Sequence, residues 1–197
     1  MAETLNRYGI PLGGGDGRGG ILMPKLKYRF RVRTVNFGPR NSNIDFTKQI
    51  MMVDKPRVNF ETVQLDSYNS RAWVHGKHTW ETINVTLRDD ITNTIARLVG
   101  TQVQKQLNHF EQTAFAAGQN YKFDMYIETM DGGNDVVLEQ WFLEGCFLTN
   151  ISYENLDYSA SEAQQISLTV QYDNATQSDG LFPELISLGD IIPGSRA

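Results

Sequence analysis

Residues 121–154 read YKFDMYIETMDGGNDVVLEQWFLEGCFLTNISYE. Tyr121, Phe123, Met125 and Ile127 alternate with Lys122, Asp124, Tyr126 and Glu128, the two-residue period of a strand with one buried face. Asp131-Gly132-Gly133-Asn134 predicts a tight turn and 135–145 a returning strand, so the stretch is a β-hairpin. Beyond Gly145, which marks a bulge or bend, 146–154 continues extended. Asp124, Glu128, Asp131, Asp135, Glu139 and Glu144 make this hairpin acidic against Lys122. Asp124, Glu128 and Glu139 are expected to share its polar face. A solvated face would explain them, and so would a surface that faces a polyanion without holding it, since like charge suppresses adhesion.

The same period recurs on either side. In 25–33, Leu26, Tyr28, Phe30 and Val32 oppose Lys25, Lys27, Arg29, Arg31 and Arg33, which predicts a half-buried strand with a basic outer ribbon running towards Phe37. The aromatic residues point away from the arginines, so this ribbon is not a base-stacking platform. Further strands are expected over 45–53, 57–65, 72–74 and 79–88, and a last one over 165–173, where Ile166, Leu168, Val170 and Tyr172 alternate with Ser167, Thr169 and Gln171. One helix is expected after Asp89-Asp90, which supply caps and N-terminal negative charge. Its apolar stripe is Ile91, Ile95, Leu98, Val99, Val103, Leu107, Phe110 and Ala114, closed by Gly118. Residues 174–197 read as a polar tail with an apolar patch from Leu181 to Leu188.

The expected fold class is mainly β: a single β-barrel or sandwich-like domain over 24–176 with one flanking α-helix, a Gly-rich arm over 1–23 and a C-terminal arm over 177–197. The chain has 197 residues and a net charge of −5, but the charge is split. Residues 1–40 hold eight Lys/Arg against two acids, leaving −11 on the remainder. An overall acidic balance argues against a general nucleic-acid binder. No apolar run approaches the twenty residues of a membrane span, and the N-terminus lacks the order of a secretory signal.

Catalytic and cofactor motifs are scarce. Gly15, Gly17 and Gly20 fit G-x-G-x-x-G, but Pro24 and an alternating strand follow where a dinucleotide site needs a helix. His75 and His78 form H-x-x-H in a polar stretch with no third ligand nearby, and read as loop or interface histidines. His109 is a helix residue. Cys146, the single cysteine, sits among apolar strand residues and is expected to be buried and inert. No G-x-S-x-G, Walker loop or H-E-x-x-H occurs. The expectation is a structural protein without catalytic residues, metal or cofactor.

The order of parts resembles the tail tube proteins of contractile-tailed bacteriophages. The likeness rests on the N-terminal alternating strand 25–37 and on WETINVTLRDD (80–90) with a helix directly after it. The acidic hairpin follows, then WFLEGCFLTNISY (141–153) and the closing strand ISLTVQYDN (166–174). The resemblance implies homohexameric rings stacked head to tail into a hollow tube inside a contractile sheath. Its partners would be further copies of itself, the tail sheath protein, and baseplate and tail terminator proteins. Genomic DNA would pass through the lumen without specific binding. It implies a place in the virion tail after assembly in the host cytoplasm, with no membrane anchor. Type VI secretion tube proteins and baseplate tube-initiators are similar in fold and stand as alternatives. A nucleic-acid-binding β module using Lys25–Arg33 is an alternative of another class. On the tube reading, Asp124, Glu128 and Glu139 are lumen candidates. Arg18, Lys25, Lys27, Arg29, Arg31, Arg33, Asp45, Lys48 and Asp54, from the 1–23 arm, the basic ribbon and the 38–57 segment, are candidates for contacts between subunits or rings.

Overall fold

A computed structural model describes residues 25–39, 43–114, 121–131, 136–159, 161–179 and 182–185. The arm 1–23 with Arg18, the turn residues 132–135, Gly118 and half of the 181–188 patch lie outside the described residues. In chain order the elements are β1 (Phe30–Val35), β2 (Asn43–Asp45), β3 (Ile50–Val53), β4 (Val58–Ser67), β5 (Ser70–Trp80), β6 (Ile83–Arg88), α1 (Thr94–Gln106), β7 (Phe123–Met130), β8 (Val137–Tyr153), β9 (Gln165–Gln171), β10 (Asn174–Asp179) and β11 (Phe182–Leu185).

All pairings are antiparallel, and β8 organises them. Its first half pairs with β7 on one edge and β10 on the other, and its second half pairs with β9. The change of partner falls at Gly145, whose φ of 65° turns the strand. Bends of this kind let one strand pass between two packed sheets. The first sheet therefore runs β2-β1-β7-β8-β10-β11 and the second β3-β6-β9-β8. The result is sandwich-like, without closure into a barrel. Residues 174–179, expected to begin a polar tail, instead form β10.

Alternation fills the space between the sheets. Val32, Phe123, Met125, Ile127 and Leu143 face inward from the first sheet; Ile50, Val85, Leu87, Ile166, Leu168 and Val170 face them from the second. Phe37 stacks edge-on against Phe46 and Phe123, with ring centres 5.2 and 4.9 Å apart. Helix α1 buries Ile95, Val99 and Gln102 in this core. Gln102 accepts from the Gly38 amide at 3.0 Å and donates to the Tyr121 carbonyl at 2.6 Å, so a buried amide side chain is satisfied while it fixes the helix to two loops.

Several elements depart from their expected bounds: 45–53 divides into β2 and β3 around a turn at 47–49, β5 runs on through 75–78, and β6 begins only at Ile83. The basic strand begins at Phe30, because Lys27-Tyr28 form a turn closed by the Arg29 amide on the Leu26 carbonyl at 3.2 Å. The helix stops at Gln106, where Leu107 takes up extended backbone. Phe110 fits the apolar stripe but is 95% exposed, so helical spacing continued past the surface that would reward it. At the other end, Asp90 accepts from the Thr94 amide at 2.9 Å, the capping role its position predicts, although Asn93 is the residue at the N-cap itself.

Candidate assembly surfaces

The acidic hairpin and the basic ribbon meet inside one chain. Register places Arg31 opposite Glu128 and Arg33 opposite Tyr126 on the outer face of the first sheet. Glu128 is 1% exposed. It accepts from Arg31 Nε at 2.6 Å, from the Arg33 guanidinium and from Gln140 Nε2 at 3.1 Å. A buried carboxylate is tolerated only with such partners. Arg33 also lies 5.7 Å over the Tyr126 ring, which stacks on Phe142 at 4.6 Å. The ribbon thus does meet aromatics on its own face, contributed by β7 and β8 rather than by its own sequence.

Glu139 is on the opposite face from Glu128, contrary to the sequence expectation. Irregular pairing at Thr129/Met130 sets the return strand so that Glu128 faces Gln140 while Thr129 faces Glu139, and one residue of offset exchanges faces. Glu139 accepts from Lys25 Nζ at 2.9 Å, Lys55 Nζ at 3.0 Å, Trp141 Nε1 at 2.8 Å and Gln177 Nε2 at 3.3 Å. Burial alone would raise its pKa, but the hydrogen bonds from Lys25, Lys55 and Trp141 outweigh it and hold the carboxyl at about 2. This pair of lysines ties the chain before β1 and the β3–β4 connection to β8.

The other sequence candidates scatter. Asp124 accepts from the Gly145 amide at 3.1 Å, securing the bend. Asp54 accepts from the Asn84 amide and side chain, both at 3.2 Å, at the edge of the second sheet. Lys48 is exposed in the turn before β3, and Asp45 stands opposite Arg33 in register. His75 and His78 flank the Phe60 ring at 6.0 and 6.3 Å, and among the described residues no group of three or more potential ligands is placed to hold a metal. Burial pushes the Cys146 thiol far up, the inert state expected of it.

Three exposed surfaces stand out in the described chain. The first is the β4–β5 ribbon, paired from Val58↔Trp80 to Ser67↔Ser70 with a bulge at Phe60/Thr62. It stands apart from both sheets as its own two-stranded sheet. Val63, Leu65 and Val74 are exposed on one face, Phe60 and Trp73 (57% and 61%) on the other, and Tyr68 at the tip has φ 48°. Sequence reading found β4 but only 72–74 of β5, with 75–78 taken as loop and 79–80 joined to the next strand, and it did not show that the ribbon projects. The alternating apolar residues were the available signal, and they do not say which chain covers them. The second is a groove between the start of β1 and β3. Lys25, Lys27, Arg29, Lys55 and Arg57 line it with Asp54 and the apolar Leu26, Phe30, Met51 and Met52. The third is the β8–β9 loop, where Glu154 and Asp157 stand beside exposed Leu156 and Tyr158.

The fold has counterparts among solved structures. A chain of the anti-feeding prophage baseplate matches with a TM-score of 0.61 at 12% identity, covering 81% of this chain and 99% of that one. A chain of the sheath–tube complex of the PVC extracellular contractile injection system matches at 0.56 and 15%, covering 81% and 94%. The SPP1 tail tube matches at 0.53 and 10%, covering 79% and 80%. The fold is tail-tube-like. No protein-family model matches the chain, and no curated protein matches it. The likeness is one of fold, at 10–15% sequence identity.

Proposed function

We propose that this chain is a structural subunit of a hollow tube in a contractile phage tail, built from hexameric rings stacked head to tail, through which the genome passes to the host. One observation carries the reading. A two-stranded ribbon about 34 Å long, at the usual rise per residue, is anchored at its base, where Trp80 packs against Tyr172 and the core, and beyond it forms a sheet of its own with large apolar side chains exposed on both faces. Isolated ribbons are marginal in water, and exposed apolar surface on this scale marks an interface. In a tail-tube-like fold, the natural cover is a neighbouring copy. Sheath, baseplate and terminator proteins would be the further partners, and the virion tail the location.

The charge geometry narrows the lumen assignment. Glu128 and Glu139 are enclosed by cations of their own chain, so of the three acids Asp124 is the one we retain as lumen-facing, on the outer face of the first sheet. The same pairing weakens the nucleic-acid module reading, because Arg31 and Arg33 are already committed to Glu128. A baseplate tube-initiator is the second reading, favoured by the anti-feeding prophage baseplate neighbour.

Negative-stain microscopy of the purified chain tests the proposal: rings or tubes are expected, and strictly monomeric protein at all salt concentrations refutes it. Leu65→Ser with Trp73→Ser should abolish assembly while leaving the monomer's melting temperature unchanged. Labelling along the whole tail rather than at one end separates tube from initiator.

A further inference from the structure

The basic groove and the β8–β9 loop sit at opposite ends of the second sheet. In that sheet Val53 pairs with Val85 and Ile83 with Val170, and Lys55 and Arg57 follow directly beyond this end. At the other end Leu87 pairs with Ile50 and Ile166, Tyr153 also pairs with Ile166, and the loop leaves from Tyr153. The two surfaces are complementary in both charge and polarity. The groove is lined by five cations and one acid, Asp54, together with the exposed Met51 and Met52. Glu139 engages Lys25 and Lys55; among the described residues Lys27 and Arg57 make no ion pair. The loop offers Glu154 and Asp157, with Leu156 at 85% exposure and Tyr158 fully exposed. Its shape is held from within: Glu154 accepts from the Gln165 amide at 3.0 Å, and Asp157 from the Ser159 amide at 2.9 Å, which lowers its pKa.

We infer that the loop 154–159 of one copy docks in the Lys27/Arg57 groove of the next copy along the stack, with Leu156 and Tyr158 against Met51 and Met52 and Asp157 facing the groove's cations. This rests on the tube reading and names the partner at each end of the subunit. Two different surfaces at opposite ends make a heterologous contact, which repeats without closing and so extends a filament. Opposite charge at the ends also rejects head-to-head pairing, where the excess cations of two grooves, Lys27 and Arg57 among them, would face each other.

A chain carrying both Met52→Cys and Leu156→Cys, treated with a short bismaleimide, should give a ladder of covalent multimers on a denaturing gel. Either single variant alone should stay monomeric, and a mixture of the two should give dimers only; buried Cys146 does not contribute. Asp157→Lys and Lys27→Glu should each raise the protein concentration needed for assembly about tenfold, and together should recover most of it. Tubes that form without the Met52–Leu156 cross-link overturn the docking but leave the tube reading intact. Charge reversals that do not rescue each other also overturn the docking. Cross-linked dimers with no rings or tubes keep the docking and refute the tube reading. Neither tubes nor cross-links refutes both.

Discussion

Adding one methyl group to glycine should have opposite effects at two positions in this chain. Gly145 has φ 65° at the point where β8 leaves one sheet for the other. An alanine there would occupy left-handed backbone, at about 1–2 kcal/mol. Its Cβ would also press on the Asp173 carboxylate, within 2.9 Å of Cγ and 3.3 Å of the Asp173 Cβ. Asp173 is half exposed and pairs with Lys122, so its carboxylate can swing aside, and losing that surface pair costs about 0.2–1 kcal/mol. The sum is about 2 kcal/mol, or roughly 4–8 °C in melting temperature for a chain of this size. Gly100 lies inside α1 and nothing stands within 4 Å of an added Cβ; alanine there should stabilise by about 0.5–1 kcal/mol. Thermal melts of Gly145→Ala, Gly100→Ala and Gly145→Ala/Asp173→Ala decide the matter. Measured against Asp173→Ala, which already lacks the Lys122 pair, the double variant should lose the backbone share alone. A Gly145→Ala melt within about 1 °C of wild type, or an equal loss at Gly100, would refute the reasoning.

The buried carboxylates give two more tests. Glu128→Gln leaves Arg31 and Arg33 without their counter-charge. Both arginines reach solvent, so the loss by urea denaturation should be about 2 kcal/mol, below that of a fully buried pair. Glu139, held at about 2 in the folded chain, stabilises it above the unfolded carboxylate range and loses that contribution as pH falls towards 2. Stability measured from pH 5 down to 2 should therefore decline, and Glu139→Gln should flatten the decline. Cys146, with its raised pKa, should resist thiol reagents in the native chain and react fully in denaturant; a native thiol that reacts at the same rate would contradict its burial.

Much of the core was legible in the sequence because burial imposes a period. Val32 in β1, Phe123 to Ile127 in β7 and Ile166 to Val170 in β9 point where their alternation placed them. Gly145 was legible as a bend, though not as the passage between sheets, because partner choice is not local. Glu139 was misplaced because strand parity after a turn depends on how the loop and the irregularity at Thr129/Met130 consume residues. The helix was overrun because Leu107 and Phe110 satisfy the period without a surface to meet. Of the β4–β5 ribbon only β4 and 72–74 were legible, because His75, Gly76, Lys77 and His78 carry no apolar alternation, and its projection depends on what the rest of the chain leaves uncovered. The ion pairs of Glu128 and Glu139 join residues about 100 positions apart, beyond the reach of any spacing argument.

Strand β8 starts beside the groove, where Glu139 grips Lys25 and Lys55, and ends at the mouth of the 154–159 loop. If those are the two joints of a stack, a single strand connects them within each subunit. Tension would then travel along peptide bonds rather than through side-chain packing, with the two sheets serving as lateral bracing. Gly145 is the weak link in that load path, and its geometry sets how stiffly the column resists being pulled or twisted.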